Sequence, residues 1–143
     1  MYERKKDYDK AIATYEHTLS KQPNNNIAAN NLATLLLDHS TVSGRLKRAM
    51  ELATRFESTD QPVFLDTLGW AYYRSGDMDK AIGVLEKVVE QAPAVGIFRY
   101  HLGMAYYKKG DEASAKTQLA KALDSKDIFD GIEEARATLK QIQ

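Results

Sequence analysis

Cysteine is absent, which removes disulfides, thiolate metal sites and a thiol nucleophile together while leaving the compartment open. A charge excess is missing too: 20 basic residues balance 20 acidic ones in 143, for a formal net charge of zero. Proteins that bind nucleic acid normally carry a basic stripe, so this balance argues against that class of partner. The short basic runs at residues 4–6 and 108–109 read as solvated helix ends. No apolar run approaches the roughly 20 residues that span a bilayer, so direct membrane insertion is not expected. Met1 is followed at once by YERKKDYDK, which is not the apolar core of a secretory leader. Histidine is scarce: His17, His39 and His101 lie far apart with no i, i+4 ligand partner, so no metal site is expected and all three read as surface or half-buried. There is no strained G-x-S-x-G turn either. The one polar cluster with a catalytic flavour, Asp38 and His39 beside Ser40 and Ser43, falls in a loop, where polar residues are usual. No catalytic residue, cofactor or metal is therefore predicted.

What the chain does have is a repeat. Across residues 66–123, Leu68, Gly69, Tyr72, Tyr73, Gly76, Asp77, Ala81 and Leu85 recur as Leu102, Gly103, Tyr106, Tyr107, Gly110, Asp111, Ala115 and Leu119, each pair 34 residues apart. A fixed period of this size marks small units that bury a core only by stacking. The order within each unit, L-G-x-x-Y, then G-D, then A-x-x-x-L, resembles the tetratricopeptide repeat, a helix–turn–helix unit of the same period. The resemblance implies an all-α, right-handed superhelical solenoid of antiparallel helix pairs, forming one domain over residues 1–143.

Residues 1–25 read as the second half of a unit: Tyr8, Ala11, Ile12, Tyr15 and Leu19 fall at helical spacing, and Pro23 with three asparagines closes the helix. Tyr2 sits where a preceding first helix should end, so the array is expected to continue upstream as the C-terminal part of a longer protein. Residues 26–61 form the next unit, with Leu32, Ala33 and Leu36 in the places of Leu68, Gly69 and Tyr72. Small residues (Ala33, Gly69, Gly103) are needed where the two helices of a unit cross closely. Its loop at residues 39–43 is longer than its counterparts and is expected to be the most mobile internal segment. Its second helix, from about Arg45 to Phe56, turns Ala49, Leu52, Ala53 and Phe56 inward, and Pro62 suits the first turn of the next helix. Residues 62–95 and 96–129 are the regular units, in which Gly76 and Gly110 can end one helix in a left-handed conformation and Asp77 and Asp111 can cap the next. Gly83 lies inside a helix at a cost of about 1 kcal/mol against alanine. Pro93 ends one unit, and Asp127 stands where the next such proline would fall. Residues 130–143 belong to an amphipathic helix, expected from Ile128 onward, that closes the array as a cap.

Within the family, first helices line the concave inner surface. The resemblance therefore implies a groove for a peptide or protein segment, lined by Asn30, Thr34, Leu37, Asp66, Trp70, Tyr73, Tyr100, His101, Met104, Tyr107 and Lys108. Tyr72 and Tyr106 share the stripe of Leu68 and Leu102 and are assigned to packing between helices. Tyrosine and tryptophan suit recognition because each offers apolar area with a polar tip at low entropic cost. Filling space between units is the alternative for these aromatics. A clamp for chaperone carboxylate tails is not implied. Asn31 matches that pattern, but Asn30, Thr34, Ile97 and His101 stand where lysine, asparagine and two basic residues are used.

The phrases N-N-L-A, D-T-L-G-W and Y-H-L-G-M-A-Y resemble bacterial arrays of envelope and exopolysaccharide-export systems, including the lipoprotein type that accompanies exosortase sorting. The expected function is a non-catalytic adaptor or scaffold that binds a protein segment. The alternatives are a structural spacer that assembles on itself and a regulatory array attached to an enzyme upstream. Self-association through the N-terminal face is expected if Tyr8, Ile12, Tyr15 and Leu19 are left partly uncovered. The compartment stays open between the bacterial envelope and the cytoplasm.

Overall fold

The computed structural model describes the backbone of residues 2–39 and 43–143 and the side chains of 7–39 and 44–143. Residues 40–42 of the lengthened loop, and with them its expected mobility, lie outside the described residues. The elements are α1 (Tyr2–Lys21), α2 (Asn26–His39), α3 (Ser43–Ala53) with a 3-10 turn at Thr54–Phe56, α4 (Pro62–Ser75), α5 (Met78–Gln91), α6 (Gly96–Lys109), α7 (Glu112–Asp124) and α8 (Ile132–Ile142). No strand occurs among the described residues.

Local chemistry sets the helix boundaries. Asn25 Oδ1 accepts from the Ala28 N–H at 3.0 Å and starts α2. Pro62 occupies the first turn of α4. Gly76 (φ 91°) and Gly110 (φ 98°) end α4 and α6 in the left-handed conformation that side chains disfavour. The carboxylates of Asp77 and Asp111 then accept from the N–H groups of Lys80 and Ser114 and start α5 and α7.

Each helix packs on its chain neighbours, and α2, α4, α6 and α8 also touch one another in sequence, forming an inner row backed by α1, α3, α5 and α7. The pairs of a unit cross closely. A Cβ on Gly69 would lie 2.6 Å from Leu85 Cδ2, and one on Gly103 would lie 2.8 Å from Leu119 Cδ2. Leu32, Leu36, Leu52, Phe56, Leu68, Leu85, Leu102 and Leu119 fill the space between the rows. Each such side chain contributes about 1.5–3 kcal/mol relative to exposure. Phe56 and Phe64 stack at 4.7 Å and join the second unit to the third.

Two boundaries differ from the sequence reading. No helix break follows Tyr2: α1 runs unbroken from Tyr2 to Lys21. The hexapeptides DYDKAI (residues 7–12) and DMDKAI (77–82) align, and the place of Gly76 is taken by Lys6, which does not break a helix. At the other end, α8 starts at Ile132 rather than Ile128, because Gly131 is left-handed (φ 101°) and Ile128 is 96% exposed. The connection from residue 125 to 131 is anchored instead. Asp127 Oδ2 accepts from the Gly96 N–H at 2.7 Å, so the residue replacing the repeat's proline caps α6.

Candidate functional site

The inner row is joined by side-chain contacts that step one unit at a time. Thr67 Oγ1 donates to Asn30 Oδ1, joining α2 to α4. The indole N–H of Trp70 donates to Asp38 Oδ1 at 2.9 Å. His101 Nδ1 lies 2.8 and 2.9 Å from the two carboxylate oxygens of Asp66, joining α4 to α6. The Tyr100 hydroxyl donates to Glu134 and that of Tyr107 to Gln141, joining α6 to α8. Trp70 is stacked on Tyr73 at 4.3 Å and on His101 at 4.0 Å, with Tyr100 tilted against it at 5.6 Å. Phe129 from the connection before α8 closes the cluster 5.4 Å from Tyr100.

This geometry corrects part of the groove expectation. Leu37 is 0% exposed, Trp70 and His101 are each 5% exposed, and Asn30, Asp66, Tyr100 and Met104 are also buried. They fill the junctions between units rather than standing open as anchors. His101 likewise departs from the surface or half-buried placement read from the sequence. The reason is that neighbouring first helices lie close enough to remove the ring and aliphatic area from water, while each polar tip finds a partner on the adjacent unit. Thr34, Tyr73 and Tyr107 are half-buried and Lys108 is exposed, with its Nζ 5.9 Å from the centre of the Tyr73 ring. Tyr72 and Tyr106 are half-buried against the core.

The open part of the inner face is a cleft of about 640 Å³ whose lining includes Tyr8, Tyr15, Asn31, Asp38, Ile97 and Asp130. Asn30 and Thr34 also reach it. A smaller hollow of about 300 Å³ adjoins it, where edges of Trp70 and Tyr100 meet Arg74 and Glu134. The imidazole of His39 lies across the rim, its Nε2 3.0 Å from Asp130 Oδ2 and its ring stacked on Tyr8 at 4.1 Å. The Arg74 guanidinium donates to the Leu37 carbonyl. Burial holds the Asp38 carboxyl above the ordinary value of 3.8, against the opposing pulls of His101 and the Trp70 N–H. Burial likewise raises the Tyr73 and Tyr100 hydroxyls, Tyr100 also through its bond to Glu134.

Sequence reasoning missed Tyr8, Asp38 and Asp130 as cleft residues. Asp38 had a signal, since it holds the repeat position of Arg74 and of Lys108, which was chosen. Tyr8 was read only as part of an open N-terminal face, and Asp130 had no signal, because the two are brought together only by the packing of the array. Of the loop cluster Asp38, His39, Ser40 and Ser43, Ser40 and the Ser43 side chain lie outside the described residues. Among the described residues, no group of three His, Cys, Asp or Glu side chains could hold a metal ion, and no helix is long and apolar enough to cross a membrane.

The sequence pattern of the tetratricopeptide repeat matches residues 2–62 and 67–130. A TPR repeat-containing protein of Pseudomonas aeruginosa, PA4667, is 26% identical over 91 residues, which is 64% of this chain and 15% of that protein's length. The chain thus spans only a small part of that relative. The fold is similar to TTC0263, a thermophilic TPR protein of Thermus thermophilus, with a TM-score of 0.76 and 22% identity over 94% of this chain and 72% of that one. It is also similar to MamA, with a TM-score of 0.69 and 23% identity over 98% of this chain and 79% of the other. The chain belongs to the tetratricopeptide repeat family, and its paired helices form a right-handed solenoid of that family.

Proposed function

We propose that this chain is a non-catalytic adaptor whose concave face holds a segment of a partner protein. The carrying observation is how the inner face divides its residues. Asp66 and His101 are buried and paired with each other at a junction between units, while the second His–Asp pair, His39 with Asp130, lies on the cleft rim. Among the described residues no buried side-chain nitrogen or oxygen lacks a hydrogen-bond partner. What faces solvent is an elongated surface of aromatic and polar side chains around a cleft, the kind of concave surface that repeat arrays use for recognition. Thr34, Tyr73, Tyr107 and Lys108 are its accessible residues from the groove prediction. Photo-reactive amino acids at Thr34 and Tyr107, with one at exposed Lys116 on the outer row as the control, test this. Adducts to one partner from an extract of the source organism should form at the two inner positions and not at Lys116. Equal labelling at all three would refute the groove.

A second reading, an array that associates through its N-terminal face, is supported by α1, where Tyr8, Ile12 and Tyr15 stay half-exposed although Leu19 is buried. Light scattering against concentration decides it: dimers that a Tyr15→Lys substitution abolishes favour this reading, and a monomer at high concentration rejects it.

A further inference from the structure

We propose that the cleft takes a basic segment, a stretch of partner chain presenting a lysine or arginine side chain among apolar neighbours. The inference rests on the adaptor reading above and narrows it. The walls are largely apolar and include Tyr8, Tyr15, Leu35 and Ile97. The acidic groups in that lining are Asp7, Asp38 and Asp130, and its one basic side chain among the described residues is His39, already against Asp130. No lysine or arginine lines it among the described residues. Glu134 extends the carboxylate row into the adjoining hollow, where the basic side chains among the described residues are His39 and Arg74, the latter bound to the Leu37 carbonyl. The whole chain has zero net charge, so this concentration of carboxylates is a property of the face rather than of the composition.

Three physical effects favour a cation here. Tyrosine ring faces attract lysine and arginine, and more strongly where water is excluded. Apolar walls lower the local dielectric, so a carboxylate–ammonium attraction exceeds its value at an open surface. An acidic segment would meet three carboxylates with only His39 to offset them, which works against it. Asp38 cannot swing away to relieve that repulsion, because the Trp70 N–H holds it and Trp70 is locked in its stack. The chemistry is the reverse of a carboxylate clamp, which would place basic residues on this face.

Random short peptides displayed on phage, selected on the intact chain, provide the test. One enriched peptide is then made in three forms, as selected, with its basic residues changed to Gln, and with them changed to Glu. Each is titrated by fluorescence anisotropy against the wild type and an Asp7→Asn/Asp130→Asn variant. Both aspartates are exposed, so circular dichroism of the variant should match wild type. Enriched sequences should contain Lys or Arg, and the selected form should bind about ten-fold tighter than its Gln form, with the Glu form weakest. That advantage should shrink in the double variant and with added salt. Enriched peptides without basic residues, or an advantage unchanged in the variant, overturn the basic preference while leaving the groove in place. Failure to enrich any peptide overturns the preference as well, and the cross-linking experiment then decides the groove separately. Self-association that the double variant abolishes would put a second copy of this chain in the cleft and equally defeat the proposal.

Discussion

Gly69 and Gly83 sit in the two helices of one unit under opposite constraints. A Cβ at Gly69 would overlap Leu85 at 2.6 Å, whereas a Cβ at Gly83 would meet nothing within 4 Å. Gly69→Ala should therefore destabilise by about 1–3 kcal/mol through overpacking. Gly83→Ala should stabilise by up to about 1 kcal/mol, because alanine is the better helix former and nothing opposes it. Urea denaturation of the two variants checks both signs, and destabilisation by Gly83→Ala would show that the helix-interior account fails there. Asp38 gives a pH prediction with a definite sign. Its folded-state pKa lies above the unfolded value of 3.8 because burial disfavours the carboxylate. The native state thus holds the proton to higher pH than the unfolded chain, and this contribution is present at low pH and lost as pH rises through the folded-state pKa. Asp38→Asn keeps an acceptor for the Trp70 N–H and removes the titration. The variant's stability relative to wild type should rise from pH 4 toward neutrality, measured by melting across that range; a difference independent of pH would contradict the burial account.

At the scale of the element, the turns between the helices of a unit combine two independent devices, a left-handed glycine and an aspartate cap. Asp77→Ala should cost about 1 kcal/mol by removing the acceptor for the Lys80 N–H. Gly76→Ala should cost about 1–2 kcal/mol by forcing an L side chain into φ 91°. Both are readable as shifts in the urea midpoint at unchanged slope. These turns were legible in the sequence because glycine followed by aspartate is a local signal repeated at a fixed period. The continuity of α1 through Lys6 and the start of α8 were not. Lys6 standing for glycine, and Gly131 shortening α8, are single departures that a periodic pattern smooths over. The proposed groove was legible only in part for a similar reason. Spacing within a helix assigned Trp70, Tyr100 and Met104 to one face, but how near the next first helix lies decides whether that face is open, and no spacing within a helix encodes that distance. Thr34, Tyr73, Tyr107 and Lys108 stay accessible on the same face.

For the molecule as a whole, stability should pass from unit to neighbouring unit as in other stacked arrays. Removing residues 125–143 takes away the Asp127 cap on Gly96, the Glu134 acceptor of Tyr100 and the Phe129 contact at once. Hydrogen exchange should then accelerate most in α6 and α7, by roughly ten-fold for each 1.4 kcal/mol lost, and least in α2 and α3. Uniform acceleration along the chain would instead mean that the array unfolds as one unit. The junctions along the inner row also carry an ordering. Asn30 answers Thr67, Asp66 answers His101, and Tyr100 answers Glu134, so the equivalent residues of successive first helices meet different polar partners on the next unit. Duplicating residues 96–129 would set a second His101 against Tyr100 in place of a carboxylate, and deleting them would strand Asp66 in a dry interior, a costly outcome for a lone buried charge. Units that look interchangeable by period are therefore not interchangeable in sentence order. Unequal recombination between them is penalised at the first mismatched joint, and nascent units are likewise steered away from docking on the wrong neighbour.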